Sequence, residues 1–271
     1  MSQSDHNPDA RYKSLLQSLR EMDAAVVAFS GGLDSTFLLH AARQALQDNV
    51  LAVTLATPYM SKAEIKEAKC AARAMGARHE IIELPFPESI RTNPADRCYL
   101  CKHSLFSHLM EMARKKGIGH VLDGTNLDDL GDYRPGLKAL RELGVESPLL
   151  AAGLSKQDLR TLARAHGLDV WDKPAAACLL TRIPHDRRVD EDELRRIEQA
   201  ELFLKDIGFS AVRLRSHDDI ARIEVPPEQV AEVVRANAEH GIDKRLKELG
   251  YRHVTVDLAG YRMGSLNKNG T

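Results

Sequence analysis

Ala24-Ala25-Val26-Val27-Ala28-Phe29-Ser30-Gly31-Gly32-Leu33-Asp34-Ser35-Thr36 is the stretch that decides the fold of this chain. Val26, Val27 and Phe29 suit a buried strand. Gly31 and Gly32 permit a tight turn and let backbone N–H groups come close to a ligand. Asp34, Ser35 and Thr36 then open a helix whose apolar positions continue at Phe37, Leu38, Ala41 and Ala42. A strand, a glycine turn and a helix N-terminus in sequence make an anion site, because free N–H groups and the helix dipole both favour phosphate. Ser30 and Ser35 add hydroxyls. Asp34, an acid beside a phosphate site, makes sense if a divalent cation lies between the two.

No lysine follows the glycines, so this is not the GxxxxGK[ST] loop. Ser30-Gly31-Gly32-Leu33-Asp34-Ser35 resembles instead the PP-loop of the ATP pyrophosphatase superfamily. Members of that superfamily cleave ATP between the α- and β-phosphates and leave AMP on the substrate. The plainer alternative is an ordinary strand-to-helix turn, but such turns rarely pair two glycines with a serine on each side and an aspartate.

Working outward, Tyr12–Met22 has helical spacing, Leu51–Leu55 reads as a second strand, and Ser61 caps a helix that stops at Gly76. Glu80–Leu84 reads as a third strand, Tyr99–Lys116 as a helix, and His120–Asp123 as a fourth strand followed by the turn Gly124-Thr125-Asn126-Leu127-Asp128-Asp129. Strands alternating with helices imply α/β architecture with a parallel sheet. Ligands of such sheets sit at the carboxyl ends of the strands. Ser30, Gly31, Gly32, Asp34, Ser35, Thr57, Gly124, Thr125, Asn126 and Asp128 are therefore expected around one nucleotide. Asp128, Asp129 and Asp132 either orient ATP and magnesium or serve as turn and cap residues, and Arg134-Pro135-Gly136 is placed to touch phosphates. After a capped helix at Ser155–His166, we expect a boundary near Val189. It divides a PP-loop domain (1–188) from a smaller C-terminal α+β domain (189–271). In the latter, Asp192–Ile207 and Pro227–Ala238 read as helices, and Ala211–Arg215, Ile220–Val225 and His253–Val256 as strands.

A chain of 271 residues can bury one large core, or one core plus a small domain. Its 38 Lys and Arg nearly balance 39 Asp and Glu, which argues against a general nucleic-acid binder. No apolar run is long enough to span a bilayer, and the polar start lacks a signal-peptide core. The expected setting is cytoplasmic, where four cysteines point to metal or catalysis before disulfides. Cys98-Tyr99-Leu100-Cys101 is a CxxC at the entry to a helix, and Cys178 stands alone in the loop Lys173-Pro174-Ala175-Ala176-Ala177-Cys178. Three readings stay open on residues alone. They are an iron–sulfur cluster with one open iron, a zinc site completed by His103 or His108, and free thiols. A thioredoxin-like redox pair is weakened because the CxxC does not open a thioredoxin-type βαβ unit. Cys70, inside a helical pattern with Ala71 and Ala72, is expected to be a buried core thiol. His185 and Asp186 are expected at the surface.

Several motifs in order carry a closer resemblance: SGGLDS, Asn93-Pro94 with Arg97–Lys102, Asp123-Gly124-Thr125-Asn126, Lys173–Leu179, and Arg182-Ile183-Pro184. Together they span most of the chain and resemble the LarE family of ATP-dependent sulfur transferases, which act in making the nickel-pincer nucleotide cofactor of lactate racemase. The resemblance implies an adenine nucleotide alpha hydrolase-like fold and adenylation of a carboxylate of pyridinium-3,5-biscarboxylic acid mononucleotide by ATP with Mg2+. Sulfur then displaces AMP to give a thiocarboxylate. In one branch of the family, a cysteine at the position of Cys178 gives up its own sulfur and becomes dehydroalanine. In the other, three cysteines hold a [4Fe–4S] cluster. With Cys98, Cys101 and Cys178 this chain looks like the cluster form. The resemblance also implies a homo-oligomer, a hexamer being the suggested form, and other nickel-pincer biosynthesis proteins as partners.

In the C-terminal part, strand alternation sends Arg213 and Arg215 to one face of their strand, Arg222 and Glu224 share a face likewise, and the charges cluster if the strands pair. Arginine forks suit carboxylate and phosphate. The plain alternative is a solvated sheet face. Arg213 and Arg215 match substrate-site arginines of the family, and Glu201 is expected either to help bind a cation or substrate or to be an exposed helical acid. Three other functions compete: a PP-loop tRNA thiolase, an ammonia-using synthetase of the NAD or GMP type, and a nucleotide-sensing module with structural zinc.

Overall fold

The computed structural model describes residues 7–131, 135–174 and 177–261. It separates into two units, Met1–Pro87 with Asp96–Ala176, and Glu88–Ala95 with Ala177–Thr271.

In the first unit, α1 (Pro8–Arg20) precedes β1 (Ala25–Ala28), which leads through the glycine turn into α2 (Leu33–Leu46). Then come β2 (Val50–Ala56), α3 (Lys62–Ala74), β3 (Arg78–Glu83), α4 (Arg97–Lys115), β4 (His120–Leu122), α5 (Pro135–Glu142), α6 (Pro148–Ala151) and α7 (Lys156–Ala165). The strands form one sheet in the order β3-β2-β1-β4, and every pairing is parallel. Alternation along β1 builds both faces. Ala25 and Val27 join Leu15, Phe37, Leu38 and Leu159 in one apolar cluster, under α1, α2 and α7. Val26 joins Phe106, Leu109 and Leu140 in a second cluster under α4 and α5. β1 and β2 are buried almost throughout, as expected for central strands of a doubly covered sheet.

The expected α/β class and parallel sheet are therefore present. Two short helices, α5 and α6, had no counterpart in the sequence reading. α6 has only four residues, too few for a periodic pattern. Cys70 departs from expectation, since it is exposed. α3 buries Ala68 and Ala72, and a residue two positions from each points to the opposite side of the helix.

The second unit holds α8 (Glu191–Asp206), β5 (Arg213–His217), β6 (Ile220–Glu224), α9 (Val230–His240), α10 (Ile242–Glu248) and β7 (His253–Val256). Its sheet has the order β5-β6-β7, with β5 antiparallel and β7 parallel to β6. α10 was not anticipated. Gly241, at φ 63°, ends α9 in the left-handed region and starts α10 at once, so no loop residues announce the break.

Residues 88–95 and 177–188, which the sequence reading placed with the first domain, group with this second unit. Asn93 is the reason. It is fully buried, adopts φ 50°, and its Nδ2 donates to the carbonyls of Leu180, Ile183 and Pro184 at 2.9–3.2 Å. Backbone bonds from Asp186 to Asn93 and from Val189 to Arg91 complete the attachment.

Candidate functional site

Strand order 3-2-1-4 means the chain winds one way from β1 to β3, then returns to the other side of β1 for β4. The crevice between the carboxyl ends of β1 and β4 is thus a topological switch point, where open α/β sheets bind ligands. The glycine turn closes one side of it and Gly124 the other. Gly31 sits at φ 70°, and a Cβ there would lie 2.8 Å from the Cα of Ala68. A Cβ on Gly124 would lie 3.0 Å from the backbone N of Ser35. Gly31 thus lets the turn pack directly on α3, and Gly124 keeps side-chain atoms away from the N-terminus of α2. Ser30 and Ser35 face each other across the turn, with hydroxyl oxygens 3.1 Å apart and the Ser30 N–H donating to Ser35 Oγ at 3.2 Å.

A cavity of about 620 Å3 opens at this point. Ser30, Gly32, Asp34, Ser35, Gly124, Thr125 and Asp129 form its polar side, and Val53, Leu55, Leu105, Phe106 and Leu137 its apolar wall. Amide donors at a helix N-terminus, a carboxylate and an apolar wall suit the phosphates, cation and base of ATP respectively. Thr57 and Asn126 are buried beside the strand ends. Thr57 Oγ1 and Asn126 Nδ2 have no hydrogen-bond partner among the described residues. Asn126 shapes its turn by accepting from the Asp128 N–H and donating its own N–H to Asp129. Asp123 is buried and accepts from Thr125 and Ser147 hydroxyls at 2.5 Å each. Asp132 and Arg134 lie outside the described residues, as do Ala175 and Ala176.

Three lysines enter this region without a role assigned from sequence. Lys102 lines the cavity with its Nζ 3.9 Å from Asp123. Lys156 Nζ donates to Asp34 Oδ2 at 2.5 Å, and the Lys156 N–H donates to Asp128 at 2.8 Å. Lys173 Nζ donates to the Gly31 carbonyl at 2.9 Å and pairs with Glu67. Only local context hinted at Lys156, which follows the capping serine of α7. Its partner is 122 positions away.

The cysteines are all free thiols. Cys98 lines this cavity. One turn on, Cys101 Sγ lies 3.2 Å from the Tyr59 hydroxyl. Cys178 belongs to the second unit and is half-buried. Its carbonyl accepts from Thr181 and Arg182. Among the described residues, no group of three or more His, Cys, Asp or Glu side chains is arranged to hold a metal ion. His103 and His108 are exposed on α4.

The second unit carries a buried ionic network. Pairing of β5 with β6 sets Arg213 opposite Glu224 and Arg215 opposite Arg222. Arg215 and Arg222 both meet Glu224, at 2.8 and 3.0 Å. Glu224 is fully buried and Arg215 nearly so, which removes the solvated-face reading. Glu201 is buried too, not an exposed helical acid. It accepts both Nε and Nη2 of Arg182, and the Leu214 N–H. Burial, and then the neighbouring charge of Arg182, lower the Arg213 pKa from its ordinary value. Arg213 is half-buried, with its guanidinium over the Tyr261 ring and donating to the Val212 carbonyl at 2.8 Å. Arg182 was legible as part of a motif, but not as the partner of Glu201.

Comparison with known proteins follows the same lines. Residues 24–98 match the family described as "Queuosine biosynthesis protein QueC", a match that contains the glycine turn. An uncharacterized protein of Synechocystis is 37% identical over 96% of this chain and 98% of its own length. The pyridinium-3,5-bisthiocarboxylic acid mononucleotide synthase of Lactiplantibacillus plantarum is 37% identical over 94% of this chain and 92% of its own. The tRNA-specific 2-thiouridylase MnmA of Rickettsia felis is 29% identical over only 55% of this chain and 51% of its own. With the glycine turn at a β1/β4 switch point and near-complete coverage of the synthase, the chain belongs to the LarE family of PP-loop, ATP-dependent sulfur transferases.

Proposed function

We propose that this protein uses ATP to adenylate a carboxylate of pyridinium-3,5-biscarboxylic acid mononucleotide and replaces the AMP by sulfur, giving a thiocarboxylate. A carboxylate oxygen attacks the α-phosphorus and pyrophosphate leaves. The acyl adenylate then exposes a carbonyl carbon with AMP as a good leaving group. The observation that carries this reading is Cys98 lining the same cavity as Ser30, Asp34 and Ser35. A thiol thus lies at the wall of the cavity proposed for ATP, which supports a sulfur-transfer role. Ser30, Gly32 and Ser35 would hold phosphate, and Asp34 the Mg2+ that screens phosphate charge. Arg213, with Arg215 and Glu201 behind it, would receive the anionic substrate.

For the sulfur source we propose the cluster form, with Cys98, Cys101 and Cys178 as thiolate donors. The support is donor chemistry: two thiols one helical turn apart, with a third in a small-residue loop. A [4Fe–4S] group held by three thiolates leaves one iron open to carry sulfide. Anaerobically reconstituted protein is then expected to bind close to four irons, and loss of any one cysteine to abolish binding. Dehydroalanine at Cys178 in iron-free spent protein would establish the sacrificial route instead. We further propose a homo-oligomer working in the cytoplasm with other nickel-pincer biosynthesis proteins, checked by light scattering and co-purification. No helix among the described residues is long and apolar enough to cross a membrane.

The adenylation itself is tested with Asp34→Ala, which removes a cavity carboxylate and no core volume. AMP and pyrophosphate formation should vanish while the circular dichroism spectrum is kept. Normal adenylation by that variant would refute the assignment.

A further inference from the structure

Lys156 pairs with Asp34, the cavity carboxylate proposed above to hold a divalent cation. Its Nζ lies 2.5 Å from Asp34 Oδ2, a charge-assisted contact between the start of α7 and the start of α2. The placement is built. Ser155 and Asp158 form a reciprocal capping box at the start of α7, and the Lys156 N–H is held by Asp128. The backbone of Lys156 is therefore fixed, while its side chain remains one-third exposed and able to swing. Three carboxylates line or floor the cavity, Asp34, Asp123 and Asp129. Asp123 is already held by two hydroxyls.

An ATP tetra-anion cannot approach Asp34 unless a cation stands between them. A magnesium ion arriving with the nucleotide needs the carboxylate whose charge the ammonium now neutralises through Oδ2. Two cations held at one carboxylate repel each other, so each weakens the binding of the other.

We propose that Lys156 is an exchangeable placeholder for the metal. It neutralises Asp34 in the nucleotide-free protein, yields that carboxylate to the divalent cation, and then binds the pyrophosphate portion of the nucleotide. This rests on the ATP-cleaving function proposed above. It adds a positioning residue whose two roles have opposite signs. Removing the ammonium should improve metal binding to the empty protein and weaken phosphate binding. A merely structural lysine would harm both or neither.

The test compares wild type, Lys156→Met and Asp34→Asn. Free Mn2+ is followed by electron paramagnetic resonance without nucleotide, and pyrophosphate with Mg2+ by calorimetry. Lys156→Met should bind Mn2+ about tenfold more tightly than wild type and pyrophosphate about tenfold more weakly. Asp34→Asn should lose the Mn2+ site. Unchanged or weaker Mn2+ binding by Lys156→Met, or unchanged pyrophosphate binding, overturns the placeholder. Lys156→Gln is read by the same criteria if the methionine variant fails to fold. Wild type that binds neither Mg·ATP nor pyrophosphate would bring down the nucleotide function and this inference together. Normal wild-type binding with an indifferent Lys156→Met would remove this inference alone.

Discussion

Gly31 and Gly32 are neighbours in one motif, yet the structure gives them different jobs, and alanine substitutions should separate them. Gly31 is at φ 70°, a conformation that costs an L-residue roughly 1–2 kcal/mol. The new Cβ would also lie 2.8 Å from the Cα and 3.1 Å from the N of Ala68. Those are backbone atoms of α3, so relief requires moving a helix. Overpacking of this kind costs about 1–3 kcal/mol, and the two contributions together predict a loss of about 2–5 kcal/mol for Gly31→Ala. Gly32 has φ −81° and its added Cβ would meet nothing nearer than Ser30 Oγ at 3.4 Å. Its backbone already suits alanine, and a stiffer unfolded chain should favour Gly32→Ala by about 0.4–1 kcal/mol. Gly32 lines the cavity, however, so the methyl group intrudes where phosphate must come close. Urea unfolding and ATP calorimetry on both variants check the division. Gly31→Ala should lose stability, and Gly32→Ala should keep it while losing ATP affinity. Equal stability for the two variants, or full ATP affinity in Gly32→Ala, would refute the reasoning.

The arginines of the second unit should divide in a similar way. Arg213→Ala should weaken the mononucleotide by about 1.5–3 kcal/mol and leave ATP binding alone, as read by calorimetry with each ligand. Arg215→Ala strips a partner from the fully buried Glu224 and should cost about 3–5 kcal/mol of stability as well, visible in thermal unfolding. Burial, and then the neighbouring His166, lower the His40 pKa from its ordinary value. The unfolded chain takes up that proton near pH 6.5 more readily than the folded one. The contribution to stability is therefore present above about pH 6.5 and is lost as pH falls below it. Thermal midpoints of His40→Phe should decline less than wild type across that acid range.

The strand–turn–helix around Gly31 was legible because its signals are local: an apolar run, paired glycines and helical spacing, all between Ala24 and Ala42. Clustering of the charges on β5 and β6 was legible from strand alternation, whereas the register that sets Arg213 opposite Glu224 was not. Features that join distant stretches were not. Nothing near Lys156 names Asp34, and nothing near Asn93 names the carbonyls of Leu180 and Ile183. Cys70 was misread because alanines on both sides made the helix look apolar all round, while only Ala68 and Ala72 carry the buried stripe. Glu201 stayed open between a binding role and an exposed acid, because one carboxylate in an acidic helix gives no sign of the guanidinium that covers it.

The excursion of residues 88–95 bears on modularity. Because Asn93 plugs three carbonyls of a segment nearly ninety positions downstream, the polypeptide passes from one unit to the other three times, after Pro87, after Ala95 and after Ala176. A gene cut at any single point cannot release either unit whole. Expression from Ala177 onward would leave those carbonyls facing water or misfolding, and a ribosome would have made every stretch of the first unit before the second could close around its plug. The C-terminal unit is thus no cassette to be shuffled between enzymes. Exchanging that unit for another would require grafting the eight-residue plug along with it.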